Sequence, residues 1–231
     1  MRQITAGKQI GQTHQNAGRQ LHYLLFLPRK YGVEDQQSWP LLMFLHGIGE
    51  RGDSKRTLSR LKRYGPARMV EEDPEFPCVV VAPQCPSETY WAVQLDLLDT
   101  LFDELQSTLH VDPDRIYLTG LSMGGYGCWH YALNYPDRCA AVVPIAGGFK
   151  HQSREIPDNI CVLKDMPVWA FHGSADTVVL PYQTESLVEA LKACGSFVRY
   201  SRLEGADHAQ SWERAYADPQ LWAWMMAQRR V

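Results

Sequence analysis

The chain has 231 residues, 45% of them hydrophobic, and a net charge of −3 at pH 7. This length suits a single domain spanning residues 1–231, and so weak a negative charge gives no field that favours nucleic acid or an anionic membrane surface. No apolar run is long enough to span a membrane, and residues 1–20 lack the apolar core of a secretory signal. We therefore expect a cytoplasmic protein, a monomer or homodimer, with residues 1–20 as a peripheral segment.

Short apolar runs alternate with longer amphipathic runs along the chain. The predicted elements, in chain order, are strands at 21–27, 41–45 and 78–82, a helix at 92–109, a strand at 115–119, a helix at 123–134, strands at 140–145 and 168–171, a helix at 181–195, a strand at 197–203 and a helix at 219–229. This alternation predicts an α/β fold, with a mostly parallel, doubly wound sheet and helices on both faces. Only about twenty residues separate the strands at 140–145 and 168–171, which leaves no room for a large lid domain.

Six cysteines are scattered along the chain, at positions 78, 85, 128, 139, 161 and 194. None forms a CxxC pair, which argues against a structural zinc site. An even count allows disulfides in an exported protein, but the scattered positions favour buried free thiols in a reducing cytosol.

A G-x-S-x-G motif at residues 120–124 lies between a predicted strand and a predicted helix. In that context the serine occupies a sharp strand-to-helix turn, where a side chain at either flanking glycine would crowd the neighbouring backbone. The turn exposes the hydroxyl group at a helix N-terminus. Ser122 is therefore the candidate nucleophile.

The other two members of a Ser–His–acid triad are expected later in the chain, in the order serine, acid, histidine. Asp176 follows the predicted strand at 168–171, and His208 follows the strand at 197–203, so both lie on loops at the same sheet edge as Ser122. Asp207 is a competing acid but cannot easily reach round to the histidine next to it. His46 and His172 each precede a glycine at a strand end, which indicates turn-shaping roles.

Two backbone amides are expected to stabilise a developing oxyanion. One is the amide that follows the nucleophile, at Met123. The other comes from the loop after an early strand, at 46–52, where Ile48 is the first choice and Gly47 the second.

The same loop also spells G-x-G-x-x-G, at positions 47, 49 and 52, which is the fingerprint of a dinucleotide site. That site needs an acidic residue at the end of the next strand. Glu71 and Glu72 precede the next strand instead, so the oxyanion interpretation is favoured.

Four stretches together are similar to a known family: LHGIGERGD, TGLSMGGYG, VWAFHGSADTVV and GADHAQSW. In order and context they resemble the predicted-peptidase branch of the α/β-hydrolases, which is similar to feruloyl esterases and polyhydroxybutyrate depolymerases. The resemblance runs from about residue 21 to the C-terminus, and HGxGERG together with APQCP is its more specific part. It implies an α/β-hydrolase fold and the triad Ser122, Asp176 and His208.

Large side chains on loops at the same edge are candidates for the walls of a substrate pocket. They are Ile48, Trp91, Met123, Phe149, Val178 and Trp212, although the two tryptophans could instead pack helices onto the sheet. Together these features predict a serine hydrolase that cleaves carboxylic esters of small or medium size without metal or organic cofactor. A peptidase for short peptides and a thioesterase remain alternatives. A non-catalytic binding protein is disfavoured because every triad member and the oxyanion glycines are present.

Overall fold

Eight strands form one sheet in a computed structural model that describes residues 5–33 and 38–230. The strands are β1 (Gln9–Asn16), β2 (Arg19–Phe26), β3 (Trp39–Leu45), β4 (Val79–Pro83), β5 (Val111–Leu121), β6 (Ala141–Ile145), β7 (Trp169–Gly173) and β8 (Arg199–Leu203). Their order across the sheet is β1-β2-β4-β3-β5-β6-β7-β8. Strand β2 is antiparallel to both neighbours, and all other pairs are parallel. The mostly parallel sheet predicted from the sequence is confirmed.

Helices cover both faces of this sheet. The described residues form α1 (Gly65–Glu72), α2 (Leu95–Thr108), α3 (Met123–Asn134), α4 (Tyr182–Ala193), α5 (His208–Ala217) and α6 (Pro219–Ala227). Side chains alternate along a strand, so β3 sends Met43 into a core shared with α2, α3 and α4, and Phe44 into a core shared with α1, α5 and α6. Between β6 and β7 the chain forms only a short 3₁₀ helix, Ile160–Leu163, so no large lid is built there.

Strand β1 is the main departure from the predicted elements, because residues 1–20 were expected to be a peripheral segment. It is an edge strand that forms a hairpin with β2, and the turn residues Ala17 and Gly18 both have positive φ. Its sequence is largely polar, as suits a strand with one sheet neighbour, so no apolar alternation marks it. His14 is nevertheless buried, with its Nδ1 2.5 Å from Glu104 Oε2 on α2. That residues 1–231 form one domain stays a prediction.

Two of the six cysteines form a disulfide, which corrects the expectation that all are free thiols. Cys161 and Cys194 are bonded, with their Cα atoms 5.4 Å apart. The other four, at positions 78, 85, 128 and 139, are free and buried as expected. The pairing joins the 3₁₀ helix at 160–163 to the C-terminus of α4, a contact that cysteine spacing along the chain cannot reveal.

This disulfide predicts the outcome of a thiol titration. The unreduced protein, denatured without reductant, is expected to show four reactive thiols rather than six. Replacing both bonded cysteines with serine should lower the free energy of unfolding by about 2–4 kcal/mol, because the unfolded chain loses a cross-link. Six titratable thiols in protein purified under air would contradict the bond.

Within residues 5–33 and 38–230, no helix is both long enough and apolar enough to cross a bilayer.

Candidate active site

The carboxyl ends of four parallel strands bring the predicted functional residues to one edge of the sheet. The loop at 46–52 follows β3, Ser122 follows β5, Asp176 follows β7, and His208 follows β8. Loops at this edge of an open α/β sheet are the usual place for a binding site.

Ser122 occupies a strained turn between β5 and α3. Its φ of 51° and ψ of −118° lie in a region that residues with a side chain rarely adopt. Close backbone packing requires the flanking glycines: a Cβ at Gly120 would lie 2.5 Å from the carbonyl oxygen of Gly124, and one at Gly124 would overlap the carbonyl oxygen of Leu45. The turn is held in place by a hydrogen bond of 2.9 Å from the Ser122 amide to the Ile145 carbonyl.

The close approach at Gly124 predicts a large loss of stability on substitution. Gly124→Ala should lower the free energy of unfolding by about 3 kcal/mol or more, because β3 and α3 must separate to admit the methyl group. Gly49→Ala is the matched control, since nothing lies within 4 Å of a Cβ built there. Equal denaturation midpoints for the two variants would contradict the packing described.

His208 lies at the first position of α5 and bridges the other two triad residues. Its Nε2 lies 2.9 Å from Ser122 Oγ, and its Nδ1 lies 2.6 Å from Asp176 Oδ2. The preceding Asp207 caps α5 by accepting a hydrogen bond of 2.9 Å from the Gln210 amide, so it is not the acid that contacts the histidine. With Nδ1–H donating to the carboxylate, Nε2 is left to accept the serine proton.

Asp176 is only 2% exposed, and its carboxylate is hydrogen-bonded by protein groups instead of by water. The amides of Val178 and Val179 each donate to Oδ1 at 2.9 Å. Burial by itself raises the pKa of the Asp176 carboxyl group, but hydrogen bonds from His172, His208 and the Val179 amide outweigh it and hold that pKa below its ordinary value. The group is therefore a carboxylate throughout the neutral range.

The loop after β3 is fixed beside Ser122 by a buried histidine. His46 donates from Nδ1 to the Gly47 carbonyl at 2.5 Å, and its Nε2 accepts the Cys85 amide at 2.9 Å. Burial lowers the pKa of His46 to about 4, so the ring is neutral at pH 7, as these two contacts require. A Cβ built at Gly47 would lie 3.8 Å from Ser122 Cβ, which places this backbone next to the serine. The turn-shaping role predicted for His46 agrees with these contacts.

A cavity of about 420 Å³ opens between the loop after β3 and helix α3, and Met123, the residue after Ser122, is part of its lining. It is lined by Ile48, Tyr90, Trp91, Ala92, Met123, Tyr126, His130 and His151. Most of this lining is apolar or aromatic, and it includes three of the predicted wall residues, Ile48, Trp91 and Met123. Tyr126 and His130 follow Ser122 at four-residue spacing along α3, a signal that could have identified them. Tyr90 and His151 lie on irregular segments, and Ala92 lies on a short 3₁₀ helix, Trp91–Val93; none of these carries such a signal.

The structure places the other three predicted pocket residues outside this lining. Phe149 packs against His130, with ring centroids 4.6 Å apart, and so lies behind the cavity wall. Val178 is 58% exposed, and it contributes to the site through its amide, which donates to Asp176 Oδ1, rather than through its side chain. Trp212 packs edge-on against the His208 ring at 4.9 Å, on the α5 side of the imidazole.

Ala92 offers a direct test of what the cavity binds. Ala92→Phe should lower kcat/KM about tenfold or more for esters with long or aromatic acyl groups and leave acetyl esters within about threefold, because it fills the cavity. Val93→Phe is the matched control, since Val93 lies on the same turn, is exposed and does not line the cavity. If the two variants change the acyl preference equally, the cavity is not the acyl site.

No group of three His, Cys, Asp or Glu side chains within the described ranges is arranged to hold a metal ion. That the protein needs no metal or organic cofactor stays a prediction.

Comparison with known proteins identifies the family of this chain. Residues 15–170 match the family model described as "Putative esterase". The chain belongs to this esterase family. The crystal structure of a thermostable esterase superposes with a TM-score of 0.80 at 30% identity, over 98% of this esterase chain and 64% of that one. S-formylglutathione hydrolase from Staphylococcus aureus superposes at 0.72 with 18% identity, over 95% and 96% of the two chains, and shows the same fold. The predicted α/β-hydrolase fold and esterase branch are confirmed.

Curated relatives share only parts of their length with this esterase. A bifunctional acetylxylan esterase/xylanase from Neocallimastix patriciarum is 24% identical over 181 residues, which are 76% of this chain and 24% of that protein. A poly(3-hydroxyoctanoate) depolymerase from Pseudomonas fluorescens is 26% identical over 137 residues, which are 50% of this chain and 48% of that protein. The chain thus spans a quarter to a half of the length of these two relatives.

Proposed function

We propose that the protein is a serine carboxylesterase that cleaves small or medium esters through an acyl-enzyme on Ser122. The observation that carries the proposal is the continuous hydrogen-bond chain from Ser122 Oγ through His208 to Asp176, at 2.9 and 2.6 Å. The serine has a base within reach, and that base is oriented by a buried carboxylate. Membership of the esterase family supports the same activity.

Acylation begins when His208 Nε2 takes the proton from Ser122 Oγ as that oxygen attacks the ester carbonyl carbon. A C–O bond forms, and the carbonyl electron pair moves onto oxygen. We place this oxyanion on the amides of Met123 and Ile48; Gly47 is the second choice in the loop. Asp176 stabilises the imidazolium formed on His208. The intermediate then collapses, and the alkoxide leaves with the proton from His208.

Deacylation repeats the sequence with water as the nucleophile. His208 removes a proton from water as the hydroxyl adds to the acyl carbon, and the second intermediate expels Ser122 Oγ, which takes the proton back. The carboxylic acid leaves, and the enzyme returns to its starting state. Every proton is moved by residues described above.

An ester substrate fits this site better than a peptide. The cavity is apolar and limited to about 420 Å³, and the segment between β6 and β7 builds no large lid that could grip a peptide backbone. An alkoxide also leaves with less assistance than an amine.

Matched chromogenic substrates test which type of bond the protein cleaves. Purified protein is assayed with an ester, a thioester and an anilide that carry the same acyl group. The proposal expects kcat/KM for the ester to exceed that for the anilide by at least about a hundredfold. A larger kcat/KM for the anilide would make the protein a peptidase, and a larger value for the thioester would make it a thioesterase.

Cytoplasmic location and a monomeric or homodimeric state stay predictions. The expected location relied in part on six free thiols, and the Cys161–Cys194 bond weakens that part of the support because disulfides persist mainly in oxidising compartments. Cell fractionation with thiol blocking tests location, and light scattering of the purified protein tests assembly.

A further inference from the structure

A second histidine contacts Asp176, and the acyl-transfer steps described above do not use it. His172 is fully buried at the end of β7, and its Nε2 lies 3.3 Å from Asp176 Oδ2, the oxygen that also contacts His208. The same Nε2 lies 2.8 Å from the carbonyl oxygen of Val179. A carbonyl oxygen can only accept, so Nε2 of His172 carries a proton.

The other ring nitrogen of His172, Nδ1, faces a hydroxyl group whose proton is donated to a different acceptor. Nδ1 lies 2.7 Å from Thr184 Oγ1 on α4. Thr184 has a single hydroxyl proton, and its Oγ1 lies 2.5 Å from the carbonyl oxygen of Gly147, which can only accept. The threonine proton is therefore committed to Gly147, and Nδ1 must donate to Thr184.

These contacts require a proton on both nitrogens of one buried imidazole ring. We propose that His172 is doubly protonated, so that its imidazolium is a second cation on Asp176, and that it acts as a positioning residue for the triad. The proposal rests on the proposed function. A buried imidazolium needs a buried counter-ion, and the Asp176 side chain, itself fully enclosed, lies in contact with it.

The groups around this pair favour that charge state. Asp176 and His208 are the charged or titratable partners on the loops after β7 and β8, while α4 presents neutral Thr184. Helix α3 contributes Tyr126, whose pKa is raised by burial and then by the negative charge of Asp176, so its phenol is neutral near pH 7. The carboxylate is thus shared between two imidazole rings.

This arrangement has a consequence for catalysis. An Asp176 charge that is unshared would hold a proton on His208 more strongly, and a protonated His208 cannot act as a base. The charge on His172 opposes a second positive charge on His208 and so favours the neutral form that acts as the base.

The test combines a pH profile with nitrogen spectroscopy. His172→Gln keeps a neutral donor and removes the charge. The acidic limb of its kcat/KM profile should move to higher pH by about half a unit or more, as expected when a nearby like charge is removed. His14→Gln is the matched control, because His14 is also buried against a carboxylate but lies on β1, at the edge of the sheet. Its profile should coincide with that of the wild type. An unshifted His172→Gln profile would overturn the proposal.

Nitrogen-15 spectra of histidine-labelled wild-type protein give a readout that needs no variant to fold. Both ring nitrogens of His172 should show protonated shifts at pH 7. One unprotonated ring nitrogen at that pH would overturn the proposal. If the wild-type protein hydrolyses no ester, the proposed function fails, and the spectra still decide the charge of His172.

Discussion

Ser122→Ala should reduce ester turnover by about 10⁴-fold or more while the protein keeps its fold. The serine supplies the only bond to the acyl group in the proposed reaction, and triad members act as a unit, so the loss of one removes most of their shared effect. The oxygen lies 2.9 Å from His208 Nε2, so its removal leaves the histidine without a group to deprotonate. Steady-state kinetics with a chromogenic acetyl ester measure the change.

A matched control for that variant is available on the same chain. Ser87→Ala removes another hydroxyl group on a loop outside the cavity lining and should leave kcat unchanged. Turnover by Ser122→Ala within tenfold of the wild type, after correction for contaminating esterase, would show that another residue is the nucleophile.

His208→Ala should lower kcat/KM by at least about a hundredfold, in line with the loss of a general base. The effect should diminish as pH rises, because hydroxide increasingly replaces the missing base. Thermal unfolding of the variant should remain cooperative, since the His208 side chain is partly exposed.

His151→Ala is the comparison for this variant, because His151 lines the cavity but contacts neither Ser122 nor Asp176 among the described hydrogen bonds. It should change KM more than kcat. If His151→Ala lost kcat and His208→Ala did not, the base would have been misassigned.

The sequence predicted the proximity of Ser122, Asp176 and His208 because each lies in the segment that follows a strand, and the strands are parallel. Parallel strands place their carboxyl ends at one edge, so order along the chain was enough to bring the three loops together. The same reasoning placed the loop at 46–52 beside the serine. The core strands could also be predicted from the sequence, because each is a continuous apolar run.

Other features depend on contacts that no local pattern encodes. The polar edge strand β1 has no apolar alternation, and Cys161 meets Cys194 only after α4 has packed. Trp212 was a candidate for the pocket wall because it closely follows His208 in the sequence. Its ring instead packs against the imidazole of His208 and does not line the cavity. The second contact to Asp176, from His172, arises because the loop turns back on itself within four residues.

Covalent labelling tests the central claim most directly. The wild-type protein is incubated with a fluorophosphonate, and the adduct is located by intact mass and peptide mapping. The account predicts one adduct per chain, on Ser122, with none on folded Ser122→Ala protein. An adduct at a different residue, or none on folded wild-type protein, would contradict it.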